Sequence, residues 1–256
     1  MAITGLTQLP AADSKTTGLS FEKAAKKNSI LMNSLSWQWG KAQKGWYLYV
    51  PLISKTLETD AKGDSREFAA KVAEWQKGAD LPPNGVVDRK TLFSFIEHWQ
   101  SKRLRPVYEA SENDLLAAPI GEFYDPTRDA KLLKVDKKAF DAFKKMIATA
   151  EKTLTEQDGE SGRYLSIISS YRSPAYQAEL RRKEPGANRA QLAKKSPHFT
   201  GRALDIYVGG EPVTTKDSNR AKQIKTEAYL WLVANADKYG FYPYFYEPWH
   251  WEYVGH

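Results

Sequence analysis

The chain has 256 residues and contains no cysteine. This absence excludes disulfide bonds, zinc sites built on thiolates and catalysis by a cysteine nucleophile. The sequence also lacks a run of about 18 consecutive apolar residues, which excludes a hydrophobic transmembrane helix. Histidine is scarce, with 4 in the whole chain. Any site that needs several imidazoles must therefore draw on these few positions.

The first twenty residues lack the features of a secretory leader. MAITGLTQLPAADSKTTGLS has no basic segment followed by an apolar one, so we expect no signal peptide. Such a chain would be a processed form or would leave the cell by another export route. Because residues 1–19 are rich in threonine, alanine and serine, we interpret them as a flexible leader.

Acidic residues are outnumbered in this chain. The 38 Lys and Arg against 31 Asp and Glu give a formal net charge of +7, which favours anionic partners such as nucleic acid or the bacterial cell wall. A solvated basic surface explains the charge equally well. Since no zinc finger, helix-turn-helix or RNA-binding signature is present, we expect no nucleic-acid partner.

The first part of the chain is patterned as helices. FEKAAKKNSILMNSL (21–35) and REFAAKVAEWQK are amphipathic, and Asp88 is placed to cap a third helix, RKTLFSFIEHWQ. We therefore predict a small all-α domain over residues 20–104, followed by a linker at 105–119.

From residue 120 the pattern mixes helices with short strands. Asp136 and Pro174 each begin a predicted helix, and AKQIKTEAYLWLVANADKYG is predicted as one long helix closed by Gly240. The segments RYLSIISSYRS, ALDIYV and FYPYFYEPWHWEYVG are strand-like. This pattern predicts an α+β domain over residues 120–256, with a small antiparallel sheet and flanking helices.

The segment SPHFTGRALD (196–205) places two metal-binding residue types around a glycine. Asp205 lies inside an otherwise apolar strand, where an unpaired carboxylate is costly and needs a cation or a metal. A turn at Gly201 would bring His198 and Asp205 together, a pairing that suits zinc. A simple hydrogen-bonded His–Asp pair is the alternative.

A second segment, YEPWHWEYVG (246–255), contains Glu247 and His250. With His198 and Asp205, His250 completes the three protein ligands of a catalytic zinc that keeps one position open. Glu247 would lie beside the metal, where a carboxylate can take a proton from water and hand it to a leaving amine. Pro248 biases Glu247 toward an extended conformation, so this motif differs from the helical H-E-x-x-H.

Arg172, in SSYRSPAYQ, lies where a predicted strand meets a predicted helix. Its guanidinium can bind a substrate carboxylate or a developing oxyanion. A surface salt bridge is the alternative for an isolated arginine.

Together these segments resemble the signature of the zinc D-alanyl-D-alanine carboxypeptidases of the VanY type. The resemblance rests on S-x-H-x-x-G-x-A-x-D at 196–205, on SYRSPAYQ before it, and on NADKYGF and YEPWHWEYVG after it. It covers roughly residues 120–255. The wider metallopeptidase group includes D-Ala-D-Ala dipeptidases and phage L-alanyl-D-glutamate endopeptidases.

The resemblance implies an α+β domain that carries one zinc ion per chain, with Glu247 as the general base. It implies that Arg172 faces the scissile carbonyl or a terminal carboxylate. We expect Trp249 to line the substrate cleft. The remaining residues that it implies are the zinc ligands His198, Asp205 and His250 and the substrate-pocket residues Gln177 and Ser196.

The implied activity is hydrolysis of peptidoglycan stem peptides by a D,D-carboxypeptidase that removes terminal D-Ala. The segment between YGF and EPWH is only YPYFY, shorter than in many of the family's carboxypeptidases. An endopeptidase of endolysin or secreted-toxin type, which cleaves L-Ala-D-Glu or cross-links, is therefore the alternative, and a non-catalytic zinc-containing wall-binding protein is a third interpretation. We expect a monomer that acts in the periplasm or cell wall, after non-Sec export, phage lysis or processing.

The earlier segment FAAKVAEWQKGADLPPNGVVDRKTLFSF resembles the core of a peptidoglycan-binding helical module. That family joins its two helices by a turn of the form Gly-Leu … Asp-Gly-Val-Val-Gly-x-x-Thr. This chain has an alanine at the first glycine and Asp88 at the later one. The resemblance implies wall binding by residues 20–104, and an unrelated helical bundle is the alternative. His98 and His256 have no role in this scheme.

Overall fold

The computed structural model describes residues 14–105, 107–154, 164–183 and 195–255. The chain forms two compact units. Unit 1 comprises Met1–Val50 and Thr56–Ser94, and unit 2 comprises Pro51–Lys55 and Phe95–His256. Most of the leader predicted at 1–19 and His256 lie outside the described residues. The predicted division into a module at 20–104, a linker and a second domain stays a prediction.

The first part of the chain is mainly helical, as predicted, and also contains a short antiparallel hairpin. The hairpin pairs Trp37 with Gln43. The helix predicted at 21–35 is confirmed and begins earlier, at Ser14. The elements are α1 (Ser14–Ser34), β1 (Ser36–Trp39), β2 (Lys41–Lys44), α2 (Val50–Thr56), α3 (Arg66–Gly78) and α4 (Arg89–Ser101).

Side-chain caps fix where α3 and α4 begin. The Ser65 hydroxyl accepts a hydrogen bond from the Phe68 amide at 3.1 Å. The Asp88 carboxylate accepts from the Thr91 amide at 2.9 Å, which confirms the predicted cap. Each cap satisfies a backbone donor that the first helical turn leaves unpaired.

The turn between α3 and α4 is held by a buried amide. The Gln76 side chain donates to the Val86 carbonyl at 3.1 Å and to the Thr91 hydroxyl at 2.9 Å. It also accepts from the Gly85 amide at 2.8 Å. Gly85 has a φ of +74°, and a Cβ there would lie 2.6 Å from the Ala69 carbonyl oxygen. The NGVVD turn therefore depends on a glycine and on one glutamine.

Replacing Gln76 by leucine should lower the free energy of unfolding by about 2–3 kcal/mol, because buried polar groups lose their partners. Urea unfolding followed by tryptophan fluorescence measures the loss. The matched control is Lys77→Leu, at an exposed position of the same helix, which should change stability by less than about 0.5 kcal/mol. Equal losses in the two variants would contradict the role given to Gln76.

Unit 2 has an α+β architecture, which confirms the predicted fold class. Its central sheet has four antiparallel strands in the order β5-β6-β8-β7, and β3 pairs separately with β4. Strand β3 lies within the segment predicted as a linker. The elements are β3 (Leu115–Ala117), β4 (Lys134–Asp136), α5 (Lys137–Ala150), β5 (Ile167–Ser169), α6 (Pro174–Lys183), β6 (Ala203–Ile206), α7 (Asp217–Gln223), α8 (Glu227–Asn235), β7 (Phe241–Pro243) and β8 (His250–Tyr253).

The two central strands of this sheet are buried along their whole length. Buried strands are usually apolar throughout, yet β6 contains Asp205 and β8 contains His250 and Glu252. The antiparallel register pairs Asp205 directly with His250. The polar residues of both strands are thereby brought to one place in the core.

The prediction of one long helix ending at Gly240 is wrong in part. The chain forms α7 and α8 with a break between them, because the Thr226 hydroxyl caps α8 by accepting from the Tyr229 amide at 3.2 Å. The same hydroxyl donates to the Val208 carbonyl at 2.8 Å and so ties the break to the chain beyond β6. Gly240, with a φ of +80°, ends the last helical turn as predicted. None of the described helices combines the length and the apolarity that crossing a membrane requires.

Candidate active site

A glycine turn positions the first histidine. Residues Pro197–Thr200 form a short 3-10 helix, which Ser196 caps by accepting from the His198 amide. Gly201 follows with a φ of +67°, and a Cβ there would lie 2.9 Å from the Asp136 amide nitrogen. Only glycine fits this reversal without strain. The turn leads the chain into β6 and leaves His198 Nε2 3.3 Å from Asp205 Oδ1, as the sequence predicted.

The strand register brings in the second histidine. His250 Nδ1 lies 2.9 Å from the same Asp205 oxygen. One ligand atom from each of His198, Asp205 and His250 lies within 4.8 Å of the others, and all three residues are buried. Tetrahedral zinc with bonds of about 2.0–2.2 Å spaces its ligand atoms about 3.3–3.6 Å apart. The His198 contact falls in this range and the His250 contact is shorter, and two imidazoles with one carboxylate are donor types that can bind zinc.

The outer nitrogen of each imidazole is also engaged. His198 Nδ1 lies 2.7 Å from the Ser170 carbonyl oxygen, and His250 Nε2 lies 3.1 Å from Glu252 Oε1. In a neutral ring, the N–H donates to this outer acceptor and the inner nitrogen keeps its lone pair. Such contacts set the tautomer and orientation of metal-binding histidines. The arrangement therefore fits a cation held between the two rings and Asp205.

Opposite charges surround the buried Asp205 carboxylate. Burial alone raises its pKa, but His198, His250 and Arg172 outweigh burial and hold the pKa well below its usual range. Arg172 Nη2 lies 2.6 Å from Asp205 Oδ2, and Arg172 Nε donates to the Ser169 hydroxyl at 2.9 Å. Asp205 therefore remains ionised, as a metal ligand must be.

The two imidazoles differ in basicity. Burial, with Arg172 nearby, lowers the pKa of His198 to about 4. Burial also acts to lower the pKa of His250, but its hydrogen bonds to Asp205 and Glu252 outweigh burial and raise the pKa to about 9. Without a bound cation, His198 is therefore neutral at pH 7 and His250 is protonated, and a metal that binds His250 Nδ1 would have to displace its proton.

Glu247 lies in a tight turn just before β8. Its amide donates to the Tyr244 carbonyl at 3.0 Å, and its carbonyl accepts from the His250 amide at 2.9 Å. The side chain is buried, and its Oε1 forms no hydrogen bond with any described residue. Burial raises the pKa of Glu247 to about 7. Glu247 lines the same cavity as the two histidines and can both take and release a proton near neutral pH.

A cavity of about 590 Å³ joins these groups. One residue predicted for the site, Gln177, does not line this cavity and is instead buried on α6. Ser196 lines it and also caps the 3-10 helix. The predicted residues that line it are Arg172, Ser196, His198, Asp205, Glu247, Trp249 and His250.

Sequence reasoning missed the support behind His250. The fully buried Glu252 carboxylate accepts from Arg103 Nε at 3.0 Å, also contacts Arg103 Nη2, and accepts from the Leu104 amide at 2.9 Å. The Arg103 guanidinium lies over the Tyr244 ring, 4.2 Å from its centroid. Burial raises the pKa of Glu252, but His250 and Arg103 outweigh it and hold the pKa well below its usual value. Glu252 lies two residues after His250 in a strand, and this spacing could have indicated that the two side chains lie close together. No local pattern indicates Arg103, which is 149 residues from Glu252 in the sequence.

Comparison with known proteins gives a family match for the second half of the chain. Residues 133–256 match the VanY model, described as D-alanyl-D-alanine carboxypeptidase, which confirms the resemblance found in the motifs. A solved structure, described as that of the LdcB LD-carboxypeptidase in work on peptidoglycan recognition, is 29% identical in sequence. The alignment covers 58% of this chain and 70% of that one, with a TM-score of 0.42. No curated protein matches the chain.

Replacing Arg103 by leucine should leave the buried Glu252 carboxylate without its guanidinium partner, so that His250 alone pairs with it among the described residues. We expect the free energy of unfolding to fall by about 3–5 kcal/mol, the usual cost of breaking a buried ion pair from one side. Urea unfolding measures the effect, and Lys102→Leu, at the exposed neighbouring position, is the control. A loss no larger than that of the control would show that Arg103 does not stabilise Glu252.

The raised pKa of Glu247 makes stability depend on pH in protein stripped of metal by a chelator. Because its pKa is about 7 in the folded chain against an ordinary 4.5, the folded state binds more protons between these values, and stability falls as pH rises through that range. Glu247→Gln cannot ionise. The stability of the variant relative to wild type should therefore rise by up to about 3 kcal/mol between pH 4 and pH 8. A difference that does not change with pH would contradict the burial of an ionisable Glu247.

Proposed function

We propose that this chain, whose residues 133–256 belong to the VanY family, is a zinc-dependent peptidase that removes terminal D-Ala from peptidoglycan stem peptides. One observation carries the proposal. His198, Asp205 and His250 present three ligand atoms at one point of a cavity that also contains the buried Glu247. A binding protein would need the ligands but not the carboxyl group.

The donor set supports zinc as the ion. Two imidazoles and one carboxylate suit zinc, and three protein ligands leave a position for water or substrate, as in catalytic zinc sites. Ser170 and Glu252 hold the outer ring nitrogens, which leaves His198 Nε2 and His250 Nδ1 to bind the metal. A bound zinc ion supplies Lewis acidity there: it polarises a carbonyl oxygen and lowers the pKa of water to about 7.

Glu247 moves the proton in this scheme. Its Oε1, which has no hydrogen-bond partner among the described residues, takes a proton from the attacking water. The protonated Glu247 then donates this proton to the nitrogen of the departing D-alanine. The amide C–N bond breaks, and the new bond between the carbonyl carbon and the water oxygen remains in the product. In the chain without metal, burial raises the pKa of Glu247 to about 7, which supports a carboxyl group that can hold a proton as well as take one.

Arg172 contributes positive charge beside the reacting carbonyl. Its Nη2 is held on Asp205 and its Nε on Ser169, so the guanidinium is fixed at the edge of the candidate metal site. A fixed donor costs no reorganisation when negative charge develops on the carbonyl oxygen. Of the two roles implied for Arg172, this position supports contact with the scissile carbonyl.

The proposed reaction takes place in the periplasm or cell wall, on peptidoglycan stem peptides. The net charge of +7 favours approach to an anionic wall. Wall binding by residues 20–104, one zinc per chain and a monomeric state are parts of the same proposal. An endopeptidase that cleaves L-Ala-D-Glu or cross-links remains the alternative, and the products distinguish the two.

Digestion of purified muropeptides tests the proposal. We expect mass spectrometry to show the loss of a single D-Ala from pentapeptide stems with zinc-loaded wild type. Glu247→Gln should retain zinc and fold but lose about 10²–10⁴-fold in turnover or more, since the amide cannot accept the proton. Glu97→Gln, on the exposed face of α4, is the control with unchanged turnover.

Three results would overturn parts of this proposal. Separation of cross-linked dimers, or cleavage between L-Ala and D-Glu, would establish an endopeptidase. Near-wild-type turnover of Glu247→Gln with zinc bound would remove Glu247 as the base. Zinc binding without any hydrolysis would favour a wall-binding protein.

A further inference from the structure

We propose that Arg128 binds the free C-terminal carboxylate of the substrate peptide. Arg128 lines the same cavity as the candidate metal site but precedes the residues that match the VanY family. The substrate class rests on the function proposed above. The assignment of Arg128 rests on the contacts of its guanidinium.

The Arg128 guanidinium is held in place by neutral groups. Its Nε donates to the Leu132 carbonyl at 3.1 Å, and its Nη1 donates to the Ile168 carbonyl at 2.8 Å. The guanidinium carbon lies 5.5 Å from the centroid of the Phe123 ring. A guanidinium carries five N–H groups, so these two bonds fix its position and leave donors for a ligand.

The positive charge of Arg128 is not neutralised by an adjacent carboxylate. The ion pairs formed within the described residues include Arg172 with Asp205 and Arg103 with Glu252, but none involves Arg128. Burial lowers the pKa of Arg128 below its ordinary value, Arg172 also lowers it, and Tyr176, Asp205 and Asp125 offset this lowering only in part. A bound anion would supply a negative charge to pair with the Arg128 guanidinium.

The other arginines in the cavity wall have different partners. Arg172 already pairs with Asp205 at 2.6 Å, and Arg103 already pairs with the buried Glu252. Arg105 is exposed. Unlike Arg172 and Arg103, Arg128 has a fixed, partly buried guanidinium that forms no ion pair with a carboxylate of the described residues.

A residue with a free carboxylate suits this part of the cavity. Ile168 lines the cavity beside Arg128, so an apolar side chain adjoins the guanidinium. A guanidinium fork recognises a carboxylate through two parallel hydrogen bonds. Binding the carboxylate at Arg128 and the preceding carbonyl at the candidate metal site would restrict cleavage to the last residue of a chain. The cavity would then select free peptide ends over internal bonds.

The test is peptide binding measured by calorimetry in zinc-loaded Glu247→Gln protein, which prevents turnover. The probes are N-acetyl-L-Lys-D-Ala-D-Ala and the same peptide with a C-terminal amide. We expect the free acid to bind about 10- to 100-fold more tightly than the amide, the range for a charge-assisted contact. Adding Arg128→Gln should abolish this preference, whereas Arg182→Gln, an exposed arginine of α6, should leave it unchanged.

Equal binding of acid and amide, or no binding of either, would overturn the inference without any Arg128 variant. It would also be overturned if Arg128→Gln kept the full preference. Should Arg128→Gln fail to fold, Arg128→Lys takes its place: the ammonium cannot form the fork, so an undiminished preference would again contradict the assignment. If the acid preference depends on Arg128 but wild type cleaves no muropeptide, the proposed reaction fails and the carboxylate site stands.

Discussion

The carboxylate of Asp205, buried in the middle of a sheet, is the constraint on which the site depends. An isolated ionised carboxylate in a protein interior is costly, so other groups must surround it. His198, His250 and Arg172 do so, with contacts of 3.3, 2.9 and 2.6 Å. Each comes from a different element, and each element is positioned for this contact by a local feature: the Gly201 turn, the β6–β8 register and the strand–helix junction.

Three buried carboxyl groups, those of Asp205, Glu247 and Glu252, have different fates. Asp205 and Glu252 contact cations, and their pKa values are held low. Glu247 has no hydrogen bond to its Oε1 among the described residues, and burial raises its pKa to about 7. Groups whose environments push their pKa values apart have different roles. Here the ionised carboxylates organise the histidines, and the protonatable one is available for chemistry.

The chain's local patterns predicted much of this structure. Caps at Asp88 and Asp136, the start of α6 at Pro174 and the approach of His198 to Asp205 all follow from short-range chemistry. The break between α7 and α8 was missed although its cap is local, with Thr226 accepting from the Tyr229 amide; the contact of Thr226 with the Val208 carbonyl that reinforces it is distant in sequence. Arg103 and Arg128 were also missed, since no short motif encodes the contact of Arg103 with Glu252 or that of Arg128 with the Ile168 carbonyl. Gln177 was expected in the substrate pocket, but the folded chain buries it outside the cavity.

The central claim is that His198, Asp205 and His250 together hold a zinc ion. Anomalous X-ray diffraction from crystals of the full chain grown with zinc, recorded on either side of the zinc absorption edge, tests it most directly. The account predicts one strong peak within bonding distance of His198 Nε2, Asp205 Oδ1 and His250 Nδ1, which is lost in His198→Ala and kept in His98→Ala. A zinc peak elsewhere, or one that survives in His198→Ala, would contradict it.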